Sequence, residues 1–320
     1  MRRSCRTPMC RESESFPKFQ AKNDRRIGKG KLEGEKSMTF FYSDLDPDIK
    51  AILLAQIRNL WTHTSTAIEG NSLTLGDTAF VLEEGLTIAG KPLRDHQEVY
   101  GHAKGIELVY RFLDSDRLVE EDIFALHRAV LTESVADIFQ PVGMWKKESN
   151  FTSYVGQDGA QHWRQFPGPE NIPVLMSQWL ERFNAVYVRS LDRKVAGDAY
   201  ADLHLDFVTI HPFFDGNGRM ARLLSNLPAL RSGFPPIVVP TEARHVYKKT
   251  ISDYQESILA LEHIKDLGAL PENREWERFR SICEGFWGPT MALVSEAREM
   301  QSRRDAEKPD PKSPLGRSGP

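Results

Sequence analysis

The stretch HPFFDGNGRMAR, His211 to Arg222, sets a histidine, a carboxylate, two glycines and two arginines within twelve residues. Gly216, Asn217 and Gly218 carry little side-chain bulk, so their backbone N–H groups can turn inward around an anion. Arg219 to Leu224 are good helix formers, and a helix opening there adds the positive end of its dipole at the same spot. Arg219 and Arg222 are three residues apart and share one face of the first turn. Asp215 stands where a hard cation such as Mg²⁺ could be shared with phosphate oxygens. His211, with an ordinary pKa near ~6.5, suits proton removal at neutral pH. A turn alone needs neither a second glycine nor two arginines, so the combination reads as a polyphosphate grip beside a base.

The segments around this loop are helical in pattern. Ile49, Ile52, Leu53, Ile57, Leu60 and Trp61 recur at three- and four-residue steps. Ser65 and Glu69 follow on one face, and Gly70 ends the helix; by itself Glu69 reads as a solvated helix-end acid. Helical patterns continue through 77–113, Asp122–Leu131, 171–187 and Gly197–Val208, the last delivering His211 at its end. His96, Glu98 and His102 lack a metal-binding spacing and read as a polar helix face, and His127 as a packed, hydrogen-bonded histidine. Phe151–Val155 and His162–Phe166 flank Gly156-Gln157-Asp158-Gly159, a hairpin signal. Beyond Pro240 lie two more apolar stripes, one holding Tyr247 and Tyr254, the other Trp276, Phe279 and Phe286.

Composition narrows the class. The chain has 320 residues, 40% hydrophobic and 27% charged, with a formal net charge of −3. That balance gives no global pull towards nucleic acid, and no winged-helix reader is evident. No run is apolar enough for a membrane span, and no signal-like apolar core opens the chain, so the expected location is cytoplasmic. Cys5, Cys10 and Cys283 do not make a disulfide framework, and no second ligand pair completes a metal site at the first two. Residues 1–37 hold eleven basic and five acidic residues and read as a disordered basic arm. Residues 301–320 read as a disordered tail.

HPFFDGNGRMAR resembles the core motif of the Fic-domain family, HPFxDGNGRxxR, at every motif position. The resemblance spans roughly residues 50–260. It implies a mainly α fold, a Fic-like helical bundle with a small β-hairpin flap beside the active-site loop. The domain plan that follows is an N-terminal helical region over 38–115 with an inhibitory helix at about 60–70, a catalytic core over 116–240 with its flap at about 145–167, and C-terminal helices over 241–300. Family members typically transfer AMP from ATP to a Ser, Thr or Tyr hydroxyl of a protein, with Mg²⁺. The resemblance implies His211 as general base and Asp215 as Mg²⁺ ligand. It implies Gly216, Asn217, Gly218, Arg219 and Arg222 as phosphate binders. Tyr247 and Tyr254 lie where members place residues around the adenine, although stripes of this spacing are usually core. Ser65 to Gly70 fits the inhibitory pattern S/T-x-x-x-E-G/N, whose glutamate, here Glu69, pairs with the second arginine, Arg222. The flap in such proteins holds the target as an added strand. A protein target presenting a hydroxyl, or this chain itself, is the implied partner, and a homodimer is common among resembling proteins.

Other readings stay open at this stage. Doc-type relatives transfer phosphate, but replace these loop glycines with Ala and Lys. Others use UTP or a choline-bearing nucleotide, and AMP removal with Glu69 positioning water is a further alternative. From a different class, the chain could be a non-catalytic ATP-binding regulatory module.

Overall fold

The computed structural model describes residues 39–131, 140–156, 159–258 and 260–308. The basic-arm expectation falls outside them, as do residues 309–320 of the expected tail. In chain order the helices are α1 (Pro47–Ile68), α2 (Leu75–Glu84), α3 (Leu93–Phe112), α4 (Glu120–Val130), α5 (Ile172–Tyr187), α6 (Arg193–Ile210), α7 (Asn217–Leu224), α8 (Leu227–Arg231), α9 (Arg244–Glu256), α10 (Arg274–Gly285) and α11 (Gly288–Glu307). Strands β1 (Phe151–Val155) and β2 (Gln161–Gln165) form an antiparallel pair between α4 and α5, with Thr152 opposite Arg164 and Ser153 opposite Trp163. Among the described residues no helix is long and apolar enough to cross a membrane.

Helix α6 is the axis of the bundle. Tyr200, Ala201, Leu203, Leu205, Phe207 and Ile210 point in several directions and are all buried, as a central helix requires. It packs on α5, α7, α8 and α10. Asp192 caps its start by accepting from Val195 N at 2.9 Å. Buried on nearly every side, α6 can present chemistry only at its ends, and His211 sits at its C-terminus.

Helix α1 lies against α2, α3 and α11. Its buried ridge is Ile49, Leu53, Ile57 and Trp61, a strict four-residue step. The same step continues to Ser65 and to the C-capping Glu69, so the seam that buries α1 also aims its end at the bundle centre. Ile52, expected in this stripe, is instead half-exposed. Gly70 follows with φ 107°, a conformation that ends the helix and that a side chain would strain.

The polar helix face of His96, Glu98 and His102 is buried within α3. His96 accepts from Ile88 N at 2.8 Å, and Glu98 accepts from Asn71 Nδ2 at 2.9 Å, so both tie down the loops around α2. The tail expected from Gln301 onward is helical as far as Glu307. Gln301 Oε1 accepts from Asp46 N at 2.8 Å, and Arg304 bridges Asp46 and Asp48, so the end of α11 caps the start of α1.

Candidate active site

His211 ends α6 in the left-handed region, φ 53°, while its N–H still bonds Phe207 O at 3.0 Å. This turns the chain sharply out of the core and into the loop. The imidazole stacks on Phe166, just past β2, at 3.8 Å between centroids. Its Nδ1 lies 3.4 Å from Val208 O. A carbonyl only accepts, so Nδ1 carries the proton and Nε2 keeps its lone pair. Burial, joined by the nearby Lys146 charge, lowers the His211 pKa to about 3. The ring is therefore uncharged and able to take a proton at neutral pH.

The loop is rigidified from three sides. Asn217 accepts from Phe213 N at 2.9 Å and donates to Phe213 O at 2.8 Å. Asn150, ahead of β1, donates to the same carbonyl at 3.0 Å and accepts from the buried Lys146 Nζ at 2.7 Å. His127 of α4 stacks on Phe213, accepts from Gly143 N at 2.8 Å and, through Nε2–H, donates to Asp215 O at 3.0 Å. Gly216 then opens α7 with φ 79°, and a Cβ there would sit 3.0 Å from Leu131 Cδ2. The first bond of the α7 ladder runs from Met220 N to Gly216 O, which leaves the amides of Asn217 and Gly218 ahead of it.

Arg222 is buried one turn into α7. Its Nε donates to Ser65 Oγ at 2.9 Å, Nη2 to Ser65 O at 2.9 Å and to Glu69 Oε1 at 2.7 Å, and Nη1 to Tyr247 OH at 3.2 Å. Four of the five guanidinium N–H groups are thus used by α1 and α9. Lys248 Nζ reaches the other Glu69 oxygen at 3.1 Å. Burial works to raise the Glu69 pKa, but Arg222 and Lys248 outweigh it and hold it at about 2. A Cβ on Gly218 would meet Glu69 Oε1 at 2.7 Å, so a side chain there would have to displace the carboxylate from this position.

Glu69, His211, Gly218, Arg222 and Tyr247 line one cleft of about 750 Å³, bordered by β1 and β2 on one side and α9 on the other. The remaining expected residues are placed differently. Asn217 spends its side chain on the Phe213 backbone, clamping the loop. Asp215 is exposed; its Oδ1 accepts from Gly216 N at 2.6 Å, and Oδ2 lies 3.3 Å from Arg219 Nη2. Arg219 is buried beside it and does not line the cleft. Tyr247 meets the cleft with a buried ring whose hydroxyl bridges Arg222 and His204 Nε2, the latter at 2.8 Å, so it orients Arg222 from the cleft wall. Tyr254 is buried and lines a separate cavity of about 370 Å³ with Asp206 and Trp276. Sequence reasoning missed Lys146, Asn150, Phe166, His204 and Lys248. None stands in a motif; each is recruited by tertiary contact alone.

The sequence model of the Fic/DOC family matches residues 117–229. The chain is 34% identical over 218 residues to the protein adenylyltransferase fic-1 of Caenorhabditis briggsae, covering 66% of this chain and 37% of that protein. It is 33% identical over 189 residues to the protein adenylyltransferase Fic of Drosophila willistoni, covering 57% and 34%. The chain thus spans little more than a third of the length of these curated relatives. Among solved structures, a Fic-domain-containing signaling protein from Bacteroides thetaiotaomicron aligns with TM-score 0.68 at 25% identity, over 80% of this chain and 92% of that one. Residues 134–508 of Fic-1 from Caenorhabditis elegans align with TM-score 0.57 at 27% identity, over 81% and 69%. With this loop, this helical core and these relatives, the chain carries a Fic domain, matched to the Fic/DOC family over residues 117–229.

Proposed function

We propose that the protein transfers AMP from ATP to a hydroxyl side chain of a target protein and that Glu69 holds it in an inhibited state. The target oxygen attacks the α-phosphorus, the new P–O bond forms, and the bond from the α-phosphorus to the bridging oxygen of the leaving pyrophosphate breaks. His211 Nε2 takes the hydroxyl proton. Its low pKa in the nucleotide-free site keeps it proton-free, and the incoming negative phosphates raise its proton affinity during transfer. The amides at the start of α7 face the phosphate oxygens. Arg222, released from Glu69, binds the terminal phosphate and so fixes which phosphorus faces the hydroxyl.

Asp215 suits Mg²⁺. Among the described residues no group of three His, Cys, Asp or Glu could hold a metal alone. A single exposed carboxylate that relies on substrate phosphates for the rest is how this ion is commonly held. Bound there, Mg²⁺ would neutralise charge on the departing pyrophosphate. The target is presented by the hairpin. Trp163 and Val155 are 72% and 71% exposed on it, an unusual outlay of apolar surface that an added strand would cover.

The observation that carries this reading is that His211 and Arg222 face one cleft bordered by a hairpin, with a carboxylate from α1 seated on the arginine. The names of the relatives as adenylyltransferases agree with it. Intact-mass analysis of the Glu69→Gly protein after incubation with Mg²⁺ and each nucleoside triphosphate tests it. An added AMP mass that His211→Ala abolishes is expected. An added phosphate mass, a different nucleotide, or no change with every lysate protein tried would overturn it.

A further inference from the structure

The two oxygens of Glu69 are held by different elements. Oε1 accepts from Arg222 on α7, and Oε2 accepts from Lys248 on α9 at 3.1 Å. Lys248 stands one turn after Arg244, whose Nε donates to Ile68 O at 2.8 Å. One face of α9 therefore grips both the last residue of α1 and its cap. The carboxylate lies against the bare backbone of Gly218, at the opening of the helix that the proposed function assigns to phosphate. A carboxylate seated on a guanidinium, an ammonium and a glycine amide surface is a stand-in for an oxyanion. Its two oxygens mark two positions that a larger anion can take.

The charges favour such a substitution. Of the other cations lining the cleft, Arg164 donates to Ser252 O and Gln255, Lys249 to the Asp253 carboxylate, and Arg244 to Ile68 O. Arg222 and Lys248 share Glu69, and among the described residues no other carboxylate lies within ion-pair distance of either. Withdrawal of Glu69 leaves two facing cations, and a terminal phosphate carries between one and two negative charges with three acceptor oxygens. Lysine, a mobile point charge on a long stem, follows such an exchange without backbone movement.

Resting on the function proposed above, we propose that Lys248 is a second ligand of the terminal phosphate of the nucleoside triphosphate, exchanging Glu69 for that phosphate when the end of α1 withdraws. Lys248 then has two roles in sequence: it helps hold the inhibitory carboxylate, and it selects triphosphates over shorter nucleotides once that carboxylate leaves.

Calorimetric titration in the Glu69→Gly background tests this, using a non-hydrolysable ATP analogue with Mg²⁺, and AMP as the control. Lys248→Met is expected to weaken the triphosphate analogue about tenfold and AMP less than twofold, the scale of one charge-assisted contact at a partly exposed site. Lys248→Arg is expected to recover most of the loss. Unchanged affinity for the triphosphate, or an equal loss for AMP, overturns the assignment while leaving the proposed function standing. A Glu69→Gly protein that binds no triphosphate at all sinks both.

Discussion

Replacing Glu69 with glutamine keeps the side-chain length and one acceptor but removes the charge. The bond to Arg222 is 2.7 Å long and half-buried, with the arginine enclosed and the carboxylate partly exposed, and a charge-assisted hydrogen bond is about twice as strong as a neutral one. Losing that assistance costs the closed state about 1 kcal/mol, and the partly exposed Lys248 pair adds at most about 1 kcal/mol more. The closed-to-open equilibrium should shift by about 5- to 30-fold, at about 1.4 kcal/mol per tenfold. Glu69→Gly removes the remaining bond and leaves Arg222 charged and buried without an acid, which raises the nucleotide-free state further. A total near 3 kcal/mol corresponds to about a hundredfold. The expected order for affinity towards a non-hydrolysable ATP analogue, and for the initial rate of self- or target labelling, is wild type below Gln below Gly. A Gln variant equal to Gly would make the block steric rather than electrostatic. A wild type equal to Gly would mean that no lock exists.

Further outcomes follow from single contacts. Asn217→Ala strips two bonds from the Phe213 backbone; it should lower stability by about 1–3 kcal/mol in urea unfolding and abolish labelling. Gly216→Ala forces a side chain into φ 79° and towards Leu131, at a cost of about 1–2 kcal/mol visible in thermal melting. The Glu69 pKa is depressed from 4.5 to about 2, so its stabilising pair is fully present above pH 4.5 and lost as pH falls from there through about 2. The ratio of Glu69→Gly to wild-type labelling should therefore stay constant from neutral pH down to about 5.5, and a ratio narrowing over that range would contradict the pairing.

Legibility in the sequence followed locality. The HPFFDGNGRMAR loop, the α1 end from Ser65 to Gly70 and the hairpin are each coded within a short window, and each lies near its expected place. Beyond the Glu69–Arg222 pair that the resemblance implied, contacts across the chain were not legible: Lys248 meets Glu69 from 179 residues away. The anion-binding pattern around Asn217 did not disclose the work of its side chain, a short amide at a helix start that pairs with the Phe213 backbone. Tyr247 and Tyr254 show a limit of helical spacing, which places a ring on a face without saying which cavity that face meets: Tyr247 lines the His211 cleft and Tyr254 a separate one. The polar composition of residues 301–307 concealed a helix that is held by Asp46 and Asp48, at the opposite end of the described chain.

The central claim is the orientation of the triphosphate: its innermost phosphorus towards His211, its outermost at Arg222. Incubating the Glu69→Gly protein, in parallel, with ATP labelled at the α- or the γ-phosphorus reads that orientation directly. Protein-bound label is expected from the α-position alone, absent in the Glu69→Gly/His211→Ala double variant. Label from the γ-position would contradict it.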